Sequence, residues 1–342
     1  MKRVVFCLVI AAACTLMGCK HSAGTSKVSA TGSIYECVLV APAALAPDMQ
    51  AVMGADMPCL PQMEPYFNVT HVPPTAFDNF LKSARNILIV DINPDKYTAL
   101  RIKYLIDLWS TPQAVCRIQS PDNASAAAYW DEHGEQVREW FVRQELARQA
   151  KFYRGYTDKE ARAALKRGFG CDMFIQEDYM LIMDTVTDGD LRFLWCCNDK
   201  GPMRRDIVVY SYPYTDAAMF SPERLNAKRD EVLGRFITAT VQGSYMGTEY
   251  KIFPPQQRDV LPLPRRDSSD TSVGSAFYAT EVRGLWKIFN GEAMGGPYVS
   301  LTRVDTIHNR IVTAETFLFA AGQKKRNAVR KEEAVLYTLQ LP

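Results

Sequence analysis

The sequence predicts an α+β fold: a mainly antiparallel sheet packed by a long amphipathic helix, with the second part of the chain strand-rich. Its 342 residues are 47% hydrophobic and 11% aromatic, and that apolar content runs throughout the chain, which supplies a sizeable core and argues against disorder. Between Asp122 and Phe152 apolar side chains recur at close to the helical period. Beyond Phe169 short apolar runs are cut by turn residues, as strands are.

The amino terminus comes first because it is read as a processed segment rather than as part of the fold. "MKRVVFCLVIAAACTLMGC" carries Lys2 and Arg3, then an apolar run from Val4 to Met17 that is short for a permanent span. Its ending, Leu16-Met17-Gly18-Cys19, resembles a bacterial lipobox. Residues 1–18 are therefore expected to be a lipoprotein signal peptide and Cys19 the lipidated residue. Two or three acyl chains on one cysteine suffice for stable membrane attachment. Lys20 follows the cysteine where an acidic residue would favour inner-membrane retention, and "HSAGTSK" lacks an acidic surface-export cluster. The expected location is the cell envelope, on the periplasm-facing side of the outer membrane. Without Lys2 and Arg3 the 40 basic residues become 38, equal to the 38 acidic ones. That balance excludes general nucleic-acid binding, which needs a cationic footprint.

Residues 19–33, small and polar, are expected to be a flexible tether. The body, 34–342, reads as a single α+β domain, with sub-halves 34–168 and 169–342 as the alternative division. "IYECVLVAP" predicts a strand ending at Pro42, and a short helix is expected within Ala43–Met53. The proline-rich stretch "CLPQMEPYFNVTHVPP" leaves room only for a strand over Tyr66–Val72. A short helix over Phe77–Ser83 and buried strands at Arg85–Ile92 and Gln113–Gln119 follow. The long helix starts near Asp122, with Tyr129, Trp130, Val137, Trp140, Phe141, Ala147 and Phe152 as its stripe and Glu135, Arg138, Glu139, Arg143 and Glu145 on the remaining faces. Thr157 and Glu160 suggest a capping box for the next helix, and Gly168 its left-handed end. Strands are then expected at 171–175, 191–197, 206–212, 244–253, 276–289, 298–304 and 311–320. Ser221-Pro222 opens a helix to Leu233, and Pro254–Ser275 reads as an exposed loop. A basic helix in "QKKRNAVRKEEAVLYTL" leads to a short terminal strand.

The chemistry-bearing residues are sparse. No nucleophile elbow, zinc-protease, Walker or calcium-loop motif is present. Of nine cysteines, Cys37, Cys59, Cys116, Cys171, Cys196 and Cys197 remain after Cys7, Cys14 and Cys19 are assigned to the amino terminus. Their even number permits disulfides, but most lie in apolar runs, which favours buried free thiols. Without CxxC spacing and with four histidines, no metal site or cofactor is expected. In "WDEHGEQ" His133 falls on the apolar stripe. Glu64, held between Pro61 and Pro65, is the best candidate for a presented carboxylate. In "RGLWKIFNGEAMGGPYVSL" Asn290-Gly291 signals a hairpin, and Gly295-Gly296-Pro297 a bulge or bend where positive φ is tolerated.

"LPQMEPYFNV", "RNILIVDI", "SYMGTEY", "EVRGLWKI" and "AMGGPYVSL", followed by a Lys/Arg-rich helix before "AVLYTL", together resemble the Bacteroidetes lipoprotein family known as domain of unknown function 4837. The resemblance runs from about Ile34 to Leu339. It implies an exported, lipid-anchored domain, carries no catalytic residues, and draws attention to Glu64, Arg283 and Trp286 as candidate ligand-binding residues. The expected function is a non-enzymatic binding or structural component anchored to the membrane by lipid, with an envelope protein or a glycan as partner. The alternative is a hydrolase-like enzyme with a carboxylate site around Glu64.

Overall fold

The structure, a computed structural model, describes residues 27–187, 189–261, 263 and 279–342. The expected signal peptide, residues 1–18, and Cys19 lie outside the described residues, as does most of the expected loop after Leu261.

The amino-terminal part contains β1 (Val28–Ser29), β2 (Glu36–Val40), α1 (Ala46–Met53), β3 (Asn68–Val72), β4 (Asn86–Ile92), β5 (Arg101–Ile106), β6 (Ser110–Thr111), β7 (Ala114–Ser120) and α2 (Asn123–Tyr153). The strands form a sheet in the order β3-β2-β4-β7-β5, parallel except for the edge strand β5. β4 and β7 are buried on both faces over most of their length, which is why their sequences run apolar instead of alternating. One face packs on α1 and α2. On the other, Val40, Ile87, Ile89 and Val115 form a small cluster with Phe77 and Trp109. The expected tether ends early: β1 pairs with β6 in parallel, and Thr31 bridges Ala84, so the chain is fixed to the body from Val28.

The remainder contains α3 (Lys159–Phe169), β8 (Met180–Val186), β9 (Arg192–Asn198), β10 (Arg204–Pro213), α4 (Pro222–Phe236), β11 (Tyr245–Glu249), β12 (Gln256–Val260), β13 (Ala279–Phe289), β14 (Gly295–Asp305), β15 (Arg310–Phe319) and α5 (Arg326–Leu336). Its sheet is antiparallel, in the order β11-β13-β14-β15-β10-β9-β8, with β12 also pairing β13. α3 and α5 pack on one face, within the large core that also takes in α1, α2 and the first sheet. α4 covers the other face over Trp286, Tyr298 and Phe317.

The antiparallel sheet is thus packed by α3, α4 and α5, whereas α2 lies between the first sheet and α5. This second neighbour disturbs the predicted stripe. Trp130, Val137 and Phe141 are buried as expected, but Phe152 is 56% exposed and Glu145, expected on a polar face, is fully buried. A helix packed from two sides has no single apolar face.

Several boundaries also shift. The cap of α3 is Asp158, which accepts from Ala161 N, while the Thr157 hydroxyl donates to the Tyr153 carbonyl; Gly170, not Gly168, takes the left-handed φ of 59°. Residues 171–175 form no strand, only a bridge from Asp172 to Gln340, and 77–83 hold only a 3-10 turn at Leu81–Ser83. β5, β8 and β12, which the sequence did not announce, lie at sheet margins, where half-exposed residues obscure the apolar pattern. The six described cysteines are free and buried.

Candidate functional site

Glu64 is buried, on the loop leading into β3, and its carboxylate faces the start of α5. Lys325, at the N-cap position of that helix, makes no side-chain cap. Glu64 supplies one from 261 residues away: Oε1 accepts from Lys325 N at 2.6 Å and Oε2 from Arg326 N at 3.2 Å. Orphan N–H groups and the positive end of the helix dipole both favour a carboxylate there. Pro61 and Pro65 stiffen the loop that aims it inward.

Arg283 is also buried, on the α5 side of β13. Its Nε and Nη2 bind the Glu281 carboxylate at 2.6 and 3.1 Å, and Nη2 also reaches Glu333, which Arg330 holds in turn. Glu281 receives Arg258 and the Tyr337 hydroxyl as well. Burial opposes the Glu281 charge, but the guanidiniums of Arg283 and Arg258 outweigh it and bring its pKa down to about 2. Burial likewise opposes the Arg283 cation, yet Glu281 and Glu333 hold its pKa above the usual arginine value.

Trp286 lies three positions on and therefore on the opposite face. It packs edge-to-face on Phe317 with centroids 5.4 Å apart and donates from Nε1 to the Leu318 carbonyl at 3.2 Å. Here the glycines of the hairpin find their purpose. Gly295 and Gly296 sit in regular register with Lys287 and Trp286, without positive φ, contrary to the expected bulge. A Cβ on Gly296 would come within 2.0 Å of the Leu318 oxygen. The predicted hairpin is present, and Asn290 supplies its positive φ of 54°.

Glu64 and Arg283 thus flank α5, while Trp286 faces α4, and the three line no common cleft. His133 packs against Tyr129 with ring centroids 4.6 Å apart and planes tilted by 45°, and lies 3.6 Å from Glu132. Among the described residues no group of histidine, cysteine and acidic side chains could hold a metal. The basic helix turns Arg326 and Arg330 inward, so its exposed cationic face is smaller than the sequence suggests.

Two surface hollows lie elsewhere. One, of about 240 Å³, is lined by Tyr212, Met219, Arg224, Lys228 and Glu231; Lys228 pairs with Glu231 inside it, and Arg224 pairs with Asp216, which is not part of the lining. The other, of about 230 Å³, opens at the carboxyl edge of the parallel strands, lined by Lys96–Ala99, Arg101, Lys103 and Gln119. At its base Gln119 Nε2 donates to the Tyr97 hydroxyl, which donates to Asp91 Oδ2, both at 2.6 Å. Lys96 lies over the Tyr97 ring.

Residues 158–338 match the family model described as a domain of unknown function (DUF4837). The chain belongs to this family. Residues 30–154 match a second model, also described as a domain of unknown function (DUF8532). No curated protein matches the chain. The resemblance drawn from sequence ran from Ile34, but the DUF4837 match covers only the antiparallel part, and "LPQMEPYFNV" and "RNILIVDI" fall under the other model. Glu64 therefore joins the two parts, reaching from the DUF8532 stretch to cap a DUF4837 helix. The carboxyl-edge hollow belongs wholly to the DUF8532 stretch. The alternation of Arg101 and Lys103 with Ile102 was its sequence signal, legible only once that segment is known to be a strand.

Proposed function

We propose that this protein is a lipid-anchored, non-enzymatic binding component of the cell envelope, attached through Cys19 on the periplasm-facing side of the outer membrane, with an envelope protein or glycan as partner. The observation that carries the reading is Leu16-Met17-Gly18-Cys19, followed by a short polar segment that joins the body at Val28. Eight residues separate Cys19 from Val28, a reach of at most about 30 Å, so the body stays close to its membrane.

The hydrolase-like alternative rested on Glu64 as a general acid, which must reach the proton it transfers. Both Glu64 oxygens already accept backbone N–H groups of α5, and the side chain is buried beneath the loop that carries it. That commitment favours the binding reading.

Cell fractionation tests the anchor. Cys19→Ala is expected to move the protein from the membrane to the soluble fraction; a variant that stays membrane-bound defeats the proposal. Crosslinking in intact envelopes is expected to recover the same partner repeatedly, and recovery of this protein alone would count against a partner.

A further inference from the structure

We propose that the hollow at the carboxyl edge of the first sheet is a binding site for a phosphoryl group, borne by free phosphate, by a small phosphomonoester or by a lipid headgroup. The inference rests on the reading of this protein as a binding component and names a ligand class for it.

Position is the first argument. Ligands of open α/β sheets bind beyond the carboxyl ends of the parallel strands, typically where the strand order reverses; this hollow shares that edge and lies toward β7 and β5. Lys96–Ala99 follow the end of β4, Gln119 is next to last in β7, and Arg101 opens β5 where it runs back alongside.

Charge is the second. In the β5–β7 ladder Arg101 faces Gln119 and Lys103 faces Arg117, so these side chains share one face of the sheet. Like charges directly opposite one another on neighbouring strands are unfavourable. Lys96, Arg101, Lys103 and Arg117 have no ion-pair partner among the described residues, and Arg117 Nε is buried without a hydrogen-bond partner. The acid nearest in register is Asp91, opposite Gln119, and Tyr97 already donates to it. Elsewhere the protein pairs its buried arginines closely, as in Arg229–Glu315 and Arg283–Glu281. Lys96, Arg101 and Lys103 in the lining, with Arg117 behind them and the Asp91 carboxylate as the acid nearest in register, leave the concave surface with an excess of positive charge that calls for an anion from outside.

Size and geometry narrow the ligand. At about 230 Å³ the hollow is below the usual range for drug-sized ligands and suits one phosphate and a small attached group. Arg101 offers a planar fork matched to phosphate oxygens, and Lys96 and Lys103 add point charges. The membrane tether joins at β1, which pairs with β6 before the amino end of β7. Gln119 lies at the other end of that strand, about 20 Å away at the usual rise per residue, which favours a soluble phosphoryl compound over a headgroup of the anchoring membrane.

The test titrates the purified full-length chain in detergent with inorganic phosphate and with glycerol phosphate, followed by calorimetry. The expected result is saturable binding at one site, weakened at least about tenfold by Arg101→Gln or Lys103→Gln and weakened by added salt. A second arm floats Cys19→Ala protein with vesicles of phosphatidylglycerol or of phosphatidylcholine. If the site takes headgroups, phosphatidylglycerol vesicles carry the protein and Lys103→Gln abolishes it. If it takes soluble phosphates, the titration saturates and the vesicles float alone. An unchanged melting temperature for Lys103→Gln shows that the variant is folded. No saturable binding in either arm, or binding indifferent to both substitutions, overturns the site. Membrane release of Cys19→Ala is read separately, so failure of the site and failure of the anchor are distinguishable.

Discussion

Beneath α5 and α2 the carboxylates of Glu281, Glu145 and Glu333 are buried and bonded to arginines, whereas on the outer face of the first sheet Lys103 stands beside Arg117 and neither has an ion-pair partner among the described residues. The difference teaches what each set of charges is for. Burial opposes the charges of Glu281, Glu145, Glu315 and Glu332, and the number of guanidiniums around each decides the result. Glu281, with Arg283 and Arg258, and Glu145, with Arg148 and Arg85, end below their ordinary pKa. Glu315, with Arg229, and Glu332, with Arg205, end above it, because one cation does not offset full burial. On the outer face there is no such matching, and the charges remain available to a ligand.

The largest expected effect comes from breaking an interior pair. Arg229 binds Glu315 through Nε at 3.0 and 2.9 Å and through Nη2 at 2.7 Å. Glu315→Leu leaves a buried guanidinium that cannot shed its proton with only the longer Asp230 ion pair at 3.5 Å, and should lower unfolding free energy by about 3 kcal/mol. Adding Arg229→Met should recover most of the loss in urea unfolding. A single variant as stable as the parent would erase the contrast between the regions.

Next comes Glu64→Ala, which leaves two N–H groups of α5 without their acceptor and should cost about 1–3 kcal/mol. Glu64→Gln, keeping one carbonyl oxygen, should cost less. Equal losses for the two variants would show that the side chain matters for packing rather than for capping.

The acid limb of the stability profile is a smaller test. Glu281 has a folded pKa of about 2 against an ordinary 4.5. The unfolded chain therefore binds a proton first as pH falls, and the stabilisation, complete above about 4.5, is lost progressively toward about 2. Glu281→Gln should flatten that part of the profile. An unchanged slope would place the acid sensitivity elsewhere.

The smallest effect belongs to the outer face. Lys103→Gln removes one member of a like-charged cross-strand pair and should change stability by no more than about 0.5 kcal/mol, toward greater stability if at all.

Much of this fold was legible from short segments. β4 and β7 announce themselves because strands buried on both faces run apolar, β2 because it is rich in β-branched and apolar residues before Pro42, and Ser221-Pro222 marks the start of α4 as read. β5 and β8 did not, since half of each edge strand meets solvent. Glu64 stands out in the sequence as a candidate ligand-binding carboxylate on a stiff loop; in the fold its partners are N–H groups distant in sequence, which no local pattern connects to it. Glu145 was misplaced because helical periodicity does not show that α2 has neighbours on two sides. Arg283 and Trp286 stood in a recognisable motif, and strand alternation alone places them on opposite faces. The cationic hollow needs the β5–β7 register, which pairs residues that local pattern does not connect.

Interior charges hold the fold, while the outer-face cations of the first sheet bind the ligand. Phosphate titration of Lys103→Gln beside Glu64→Gln separates the two roles. Lys103→Gln is expected to keep its stability and lose phosphate affinity, while Glu64→Gln loses stability and keeps affinity. The reverse pattern, or phosphate binding unaffected by Lys103→Gln, would contradict that division.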